Sequence, residues 1–404
     1  VKIIRARIVL PMEGEAIANG AVAVEGARIA AVAGWKEISA THSGEVIDLG
    51  EMVLMPGLIN AHCHLDYTML RGKIGAQASF ADWIRAINAQ KAPLTESDYI
   101  ASIIAGWEEA RRYGTTSLLN MEAFPELLPR LPRPPLRVWW CAEMIDLRRR
   151  VNVSEIAEAL RAWFGSHPEW LGGFGLAPHA PYTASAELYA EAGRVPGVPL
   201  ATHLAESREE MQLFRDATGP LFDFLKTLGR LAGDCGRATP LSHLLDGRLL
   251  DGRWIIAHLN ELIDADFKLL EEGPKFHVVH CPRSHTFFGH APFAWKKLRS
   301  LGFNIAVGTD SLASNSSLSL FAELRQLSQM EMWMAPREIL ETVTVNAAAG
   351  LSQANSLGKI RAGFYADLIG IPSTLSEKDS YAGVIKYDKS VPWMMINGEV
   401  LGTS

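Results

Sequence analysis

The first 54 residues alternate apolar and polar positions with the two-residue period of strands. Short strands are expected at 2–10, 21–25, 28–32, 45–48 and 52–54, and Gly26 supplies the positive φ of a tight turn between the second and third. No helix of useful length fits in this stretch. From residue 55 the pattern changes to continuous apolar runs followed by segments of helical period. Strands are predicted at 53–61, 115–121, 137–144, 173–177, 199–203, 254–258, 277–280 and 304–310. Helices are predicted at 79–88, 96–113 behind Thr95 as a cap, 153–164, from about 207, at 221–228, 239–246 and 264–271, and later at 321–333 and 336–348. Strand character returns at 358–371 and 393–400.

Eight strand-then-helix units make an α/β fold, a (β/α)8 TIM barrel, the economical solution, because a closed parallel sheet leaves no edge to protect. A doubly wound open sheet is the main rival, and it does not naturally bring so many strand ends to one point. The strands at the two chain ends are expected to join as a small discontinuous β-sandwich. This places a composite domain at 1–54 plus 359–404 and the barrel at 55–358.

Composition narrows the class further. The chain has 404 residues, is 48% hydrophobic and 21% charged, and carries a formal net charge of -6, as expected of a packed globular protein. No basic cluster stands beside an aromatic series, so no nucleic acid partner is expected, and Arg148-Arg149-Arg150 reads as a solvated loop or helix start. No apolar run approaches the ~20 residues of a membrane helix. The N-terminal residues lack a signal-peptide pattern. Four scattered cysteines without a C-x-x-C pair fit a reducing cytoplasm.

Candidate chemistry starts at His62-Cys63-His64. Strand alternation puts both imidazoles on one face and Cys63 on the other, a spacing that can chelate one divalent metal. Other polar residues stand at later strand ends: His179 on the fourth, His203 on the fifth, His258 on the sixth and Asp310 on the eighth. In a barrel these ends converge on one face. His62, His64, His203 and Asp310 would give a metal a shell with room for water and lower the pKa of that water towards 7, with Zn2+ the first choice and Fe2+ the second. Glu206, three residues after His203, can move a proton between that water and a leaving group. His258 is either a further acid-base group or a replacement for one of the four ligands, and Asp310 can also share in proton transfer. No lysine ends the fourth strand, so a mononuclear site is expected, with His179 in substrate contact.

The motifs PGLINAHCHLD at 56–66, PHAPYTAS at 178–185, THLAES at 202–207, AHLNE at 257–261, HCPRS at 280–284 and GTDSLASN at 308–315 run along nearly the whole chain. With them the sequence resembles the amidohydrolase superfamily, in its cytosine-deaminase-like and chlorohydrolase branch. The resemblance implies His62, His64, His203 and Asp310 on the metal, Glu206 and His258 at the acid-base site, and a homodimer. It implies hydrolytic removal of an amine from a purine, pyrimidine, pterin or triazine ring. Where the family usually has Asn after CPxS, this chain has His285, then Phe287 and Phe288, which are candidates to stack on a ligand. That variant is similar to the subgroup with aminodeoxyfutalosine deaminases of menaquinone synthesis. It implies loss of the 6-amino group from an adenine nucleoside such as aminodeoxyfutalosine, S-adenosylhomocysteine, methylthioadenosine or adenosine. Trp83, Phe80 and Met69 are candidates for the remote end of such a ligand. The alternatives are a guanine, pterin or triazine aminohydrolase, a chlorohydrolase, an amide or lactam hydrolase, or a metal-stabilised binding protein without turnover. The last would hold four protein ligands and turn Glu206 away.

Overall fold

The structure, a computed structural model, describes residues 1–230 and 233–402. It divides into two compact units, Val1–Ala61 with Glu108–Leu118 and Ser319–Ser404, and His62–Trp107 with Leu119–Leu318.

In the first unit, strands from both chain ends make one continuous mixed sheet of eight strands. Lys2–Val9 pairs antiparallel with Ile17–Glu25, which returns through Gly26 at φ +56° into Arg28–Gly34. On the other side Lys2–Val9 runs parallel to Met52–Pro56, which pairs antiparallel with Leu368–Pro372, followed by Trp393–Ile396 and Glu399–Leu401. One face buries Ile4, Val22, Val24, Leu54, Phe364, Leu368 and Met395 together. The other packs Ile3, Ala21 and Ala23 against Ile38 of the helix Trp35–Thr41. That helix contradicts the expectation of none before residue 55. It is seven residues long and buries only Ile38, too little for a period to show. The strand character expected from 358 is confined to Leu368–Pro372, because Ile360 and Phe364 reach the core from irregular chain.

Two further expectations change in this unit. The helix expected at 336–348 is two, Pro336–Glu341 and Val345–Gly350. Between them the Thr342 and Thr344 hydroxyls donate back to Ile339 O (2.7 Å) and Leu340 O (2.8 Å), competing with the helical ladder. The helix Glu377–Ile385 was not expected, since only Ser380, Val384 and Ile385 are buried along it, and a buried serine gives no apolar period to read.

The barrel strands are Leu58–His64, Thr115–Glu122, Arg137–Met144, Gly172–Pro178, Leu200–Leu204, Trp254–His258, His277–His280 and an eighth in two pieces, Asn304–Val307 and Asp310–Ser311. Strands adjacent in the chain are adjacent in the sheet. The first, second, fifth and sixth are buried at every position, which explains their continuous apolar runs in place of alternation. The apolar run at 53–61 is split into Met52–Pro56 and Leu58–His64 by Gly57, where a Cβ would lie 2.1 Å from the Thr116 side chain.

Closure of the barrel depends on the eighth strand. Asn304–Val307 runs parallel to the seventh strand and Asp310–Ser311 parallel to the first, with Asp310 opposite Cys63. In between, Gly308 N donates to His280 O and Thr309 N to His62 O, both at 3.0 Å. A Cβ on Gly308 would stand 2.6 Å from His62 O, so only glycine lets the strand change partners here. No helix among the described residues is long and apolar enough to cross a membrane.

Candidate active site

His62 and His64 leave the first strand on the same side, with ring centroids 5.0 Å apart, while the Cys63 thiol turns away to donate to Leu119 O. All four cysteines are buried, and no disulfide joins them. His64 Nε2 lies 3.1 Å from His203 Nε2. His203 Nδ1 is 2.8 Å from His179 O, and since a carbonyl only accepts, Nδ1 carries the hydrogen and Nε2 keeps its lone pair. Burial, then the neighbouring imidazoles, push His203 down to about 3 and His64 well below the usual histidine range, so both rings are neutral.

Asp310 Oδ1 lies 3.6 Å from His62 Nε2 and 3.9 Å from His64 Nε2. Its Oδ2 accepts from Ser284 Oγ (2.6 Å) and Ser314 Oγ (3.0 Å). Burial alone would raise this carboxyl, but the hydrogen bond from His62 and the electrostatic influence of the imidazoles of His258, His62 and His64 around it hold it well below the usual carboxylate range. Asp310 and His258 both adopt left-handed backbone, at φ +57° and +75°, a strain that clusters at functional sites. Ligand atoms of His62, His64 and His203 lie within 4.8 Å of one another, as do those of His62, His258 and Asp310. Neutral imidazoles and an ionised carboxylate converging in this way fit a divalent ion. His258 Nε2 is buried without a hydrogen-bond partner among the described residues and lies 3.6 Å from Glu206 Oε1.

Glu206 is held through its backbone. Glu210 accepts from Ala205 N (3.1 Å) and Glu206 N (2.7 Å), which fixes Ala205 at φ +49°. Asn260 Nδ2 donates to Glu206 O, and its Oδ1 accepts from His285 Nδ1 at 3.1 Å. Glu210→Gln replaces one accepting oxygen by an amide that faces an N–H. The expected loss is about 1.5–3 kcal/mol, read from denaturant unfolding, with metal content retained. Unchanged stability would remove the clamp from the account.

A cavity of about 720 Å³ opens over these groups. His64, His179, His203, Glu206, His258 and Asp310 line its floor, Phe80, Trp83, Ile87 and Phe224 its walls, and Arg148 and Arg149 are exposed at its edge. The arginines are in the exposed loop that the sequence suggests, and that loop borders the cavity. Trp83 and Phe80 belong to the helix Phe80–Lys91, whose first amides Phe80 N and Ala81 N donate to Glu209. Phe287 and Phe288 are in the helix Pro282–Phe288 and line a smaller neighbouring cavity of about 240 Å³, where Phe288 meets Trp83 edge-on at 5.0 Å. His285 is buried behind Glu206, and Met69 is half-buried off the cavity lining, its amide donating to Ser102. The sequence reading did not single out Glu143, Tyr67, Lys91 or Tyr182, all of which line the cavity. Glu143 stands at the end of a barrel strand, the same signal that marked the histidines.

A (β/α)8 barrel that gathers neutral imidazoles and an ionised aspartate at the exits of its strands defines a metal-dependent hydrolytic enzyme. The chain belongs to the Amidohydrolase family, whose profile matches residues 53–401. It is 30% identical over 339 residues to the 5-methylthioadenosine/S-adenosylhomocysteine deaminase of Pyrococcus furiosus, covering 80% of this chain and 75% of the relative. In structure it is similar to an adenosine deaminase from Xanthomonas campestris with bound zinc, with TM-score 0.80, 24% identity and 99% and 92% of the two chains covered. It is likewise similar to Helicobacter pylori aminofutalosine deaminase in complex with methylthio-coformycin, with TM-score 0.81, 20% identity and 99% and 100% covered. At these identities the structural likenesses concern the fold.

Proposed function

We propose that the protein is a hydrolytic deaminase that replaces the 6-amino group of an adenine nucleoside by oxygen and releases ammonia. The observation that carries this reading is the Glu206–His258 pair, 3.6 Å apart and facing the cavity beside the cluster of His62, His64, His203 and Asp310. One divalent ion held by those four side chains, zinc first and ferrous iron second, would lower the pKa of a water towards 7. Glu206 takes a proton from the attacking water and delivers it to the ring nitrogen beside the carbon that bears the amine. As that carbon gains oxygen, its bond to nitrogen breaks and the amine leaves as ammonia after a second proton transfer. Burial first, then Asp310 and Glu210, raises the Glu206 carboxyl well above its ordinary range, which suits a group that must hold a proton as well as accept one. His258 Nε2, with no other partner, orients the incoming oxygen. A binding protein without turnover would have turned Glu206 away from the cavity.

The walls favour one subset of adenine nucleosides. Aromatic and aliphatic side chains suit an apolar extension of the sugar, and Arg148 and Arg149 at the edge have no ion-pair partner among the described residues. An anionic end group, as in S-adenosylhomocysteine or aminodeoxyfutalosine, complements that edge better than methylthioadenosine does. The relative from Pyrococcus furiosus is named for both methylthioadenosine and S-adenosylhomocysteine, which supports the adenine nucleoside class and leaves the end group to the cavity edge. We further read the protein as a cytoplasmic homodimer, the first term supported by four buried cysteines that form no disulfide and the second by the family resemblance.

The test is ammonia release by zinc-reconstituted protein from adenosine, S-adenosylhomocysteine, methylthioadenosine, aminodeoxyfutalosine, guanine and isoxanthopterin. Release is expected from the adenine compounds, fastest where the extension ends in an anion. No release from any of them overturns the proposal, and release from guanine or isoxanthopterin alone moves the enzyme to the neighbouring aminohydrolase reading.

A further inference from the structure

The third barrel strand, Arg137–Met144, is apolar except for its first residue and Glu143, which stands one residue before its end. The Glu143 side chain is only 7% exposed, yet it lines the cavity and has no hydrogen-bond partner among the described residues. Its oxygens open into the cavity, where a ligand that displaces water must offer them a donor in its place. Its near polar neighbour is His179 Nε2, at 4.0 Å, too far for a hydrogen bond.

The tautomer of His179 decides what the two groups offer. Thr183 Oγ donates its hydrogen to Ala180 O (3.2 Å), so it accepts from His179 Nδ1 (2.6 Å). His179 Nδ1 therefore carries the ring hydrogen and Nε2 presents a lone pair to the cavity. Glu143 presents carboxylate oxygen to the same space. Lys91 Nζ, which lines the same cavity, donates to Tyr67 OH at 2.6 Å and to neither of these two groups. A second metal would need His203 as its third ligand, and His203 Nε2 already faces His64 Nε2. Two acceptors that cannot satisfy one another and receive no hydrogen bond from the described residues call for a ligand bearing two donors side by side.

We propose that Glu143 and His179 form a specificity subsite for the vicinal hydroxyls of a ribonucleoside, one hydroxyl donating to each acceptor. Neighbouring hydroxyls on one face of a five-membered sugar match two acceptors 4.0 Å apart, whereas the edge of a free purine offers mostly acceptors of its own and would meet them unfavourably. Glu143 is thereby a specificity-determining residue that separates ribonucleosides from deoxynucleosides and free bases. This inference rests on the deaminase reading above.

The test compares adenosine, 2′-deoxyadenosine and 3′-deoxyadenosine on zinc-reconstituted wild type, Glu143→Leu and Glu143→Gln, with zinc content and thermal unfolding recorded for each. Wild type is expected to favour adenosine by at least about tenfold in kcat/KM, mostly through KM, since a site built for a hydroxyl penalises its loss. Glu143→Leu is expected to bring the ratio close to one, and Glu143→Gln, which keeps one accepting oxygen, to fall between. Equal use of the three nucleosides by wild type, or an unchanged ratio in both variants, overturns the subsite. If Glu143→Leu does not fold, the ratio in Glu143→Gln decides. If no nucleoside releases ammonia, the deaminase reading fails by itself, and calorimetric binding of the same three nucleosides decides the subsite. Tighter binding of adenosine that weakens in Glu143→Gln upholds it, and indifference to the hydroxyls ends it.

Discussion

Glu206→Gln lowers ammonia release by about a hundredfold to ten-thousandfold, the range over which positioned proton transfer acts, while zinc content stays at the wild-type level. The geometry makes this a clean substitution. Glu210 and Asn260 grip the backbone of residue 206 and leave its side chain free, so the amide takes up the place of the carboxyl without releasing the turn. Glutamine keeps the volume and the acceptor oxygen but cannot carry the proton. The measurement is steady-state ammonia release on the best nucleoside of the panel, with metal analysis of the same preparation. Turnover at the wild-type rate rejects Glu206 as the proton carrier and leaves His258 and Asp310 to be tested in its place.

His203→Ala abolishes both metal retention and activity. His203 Nε2 is aimed at His64 by the Nδ1 hydrogen bond to His179 O, and burial keeps the ring neutral, so its lone pair is available at every pH above about 3. Removing it leaves His62, His64 and Asp310, one imidazole short of the set. Because a bound ion stabilises only the folded chain, wild type should gain about 2.7 kcal/mol when free zinc reaches a hundred times its dissociation constant. The variant should show little of this gain. The measurements are elemental analysis after dialysis and unfolding with and without zinc. Full zinc occupancy in the variant removes His203 from the ligand set.

The elements that order the site were legible because they are long and strongly patterned. Strands such as Trp254–His258 and His277–His280 coincide with their apolar runs, and alternation along His62-Cys63-His64 gave the side of each residue. What could not be read is where irregular chain passes. Cys281 to Phe288 looked like a loop offering rings to a ligand, but it forms a short helix that sends His285 behind Glu206 and Phe288 behind Trp83. Nothing in local pattern specifies that packing, since it is settled by contacts with residues 25 and more than 200 positions away. Glu143 was missed for another reason. It belongs to no motif, and a single acid at the end of an apolar run reads as the strand's exit into solvent until the barrel closes around it. Arg148 and Arg149 show the reverse case, being as exposed as their composition suggests yet placed on the lining of the cavity.

The thiol beneath the two histidines also has a practical use. Cys63 and Cys141 are fully shielded, and burial pushes both thiols up, so neither supplies thiolate to a reagent while the barrel is closed. Alkylation of either one therefore records a moment when the surrounding strands have parted. Followed by mass spectrometry residue by residue, it becomes a clock for breathing of the strands that carry His62, His64 and Glu143, one that needs neither substrate nor added dye.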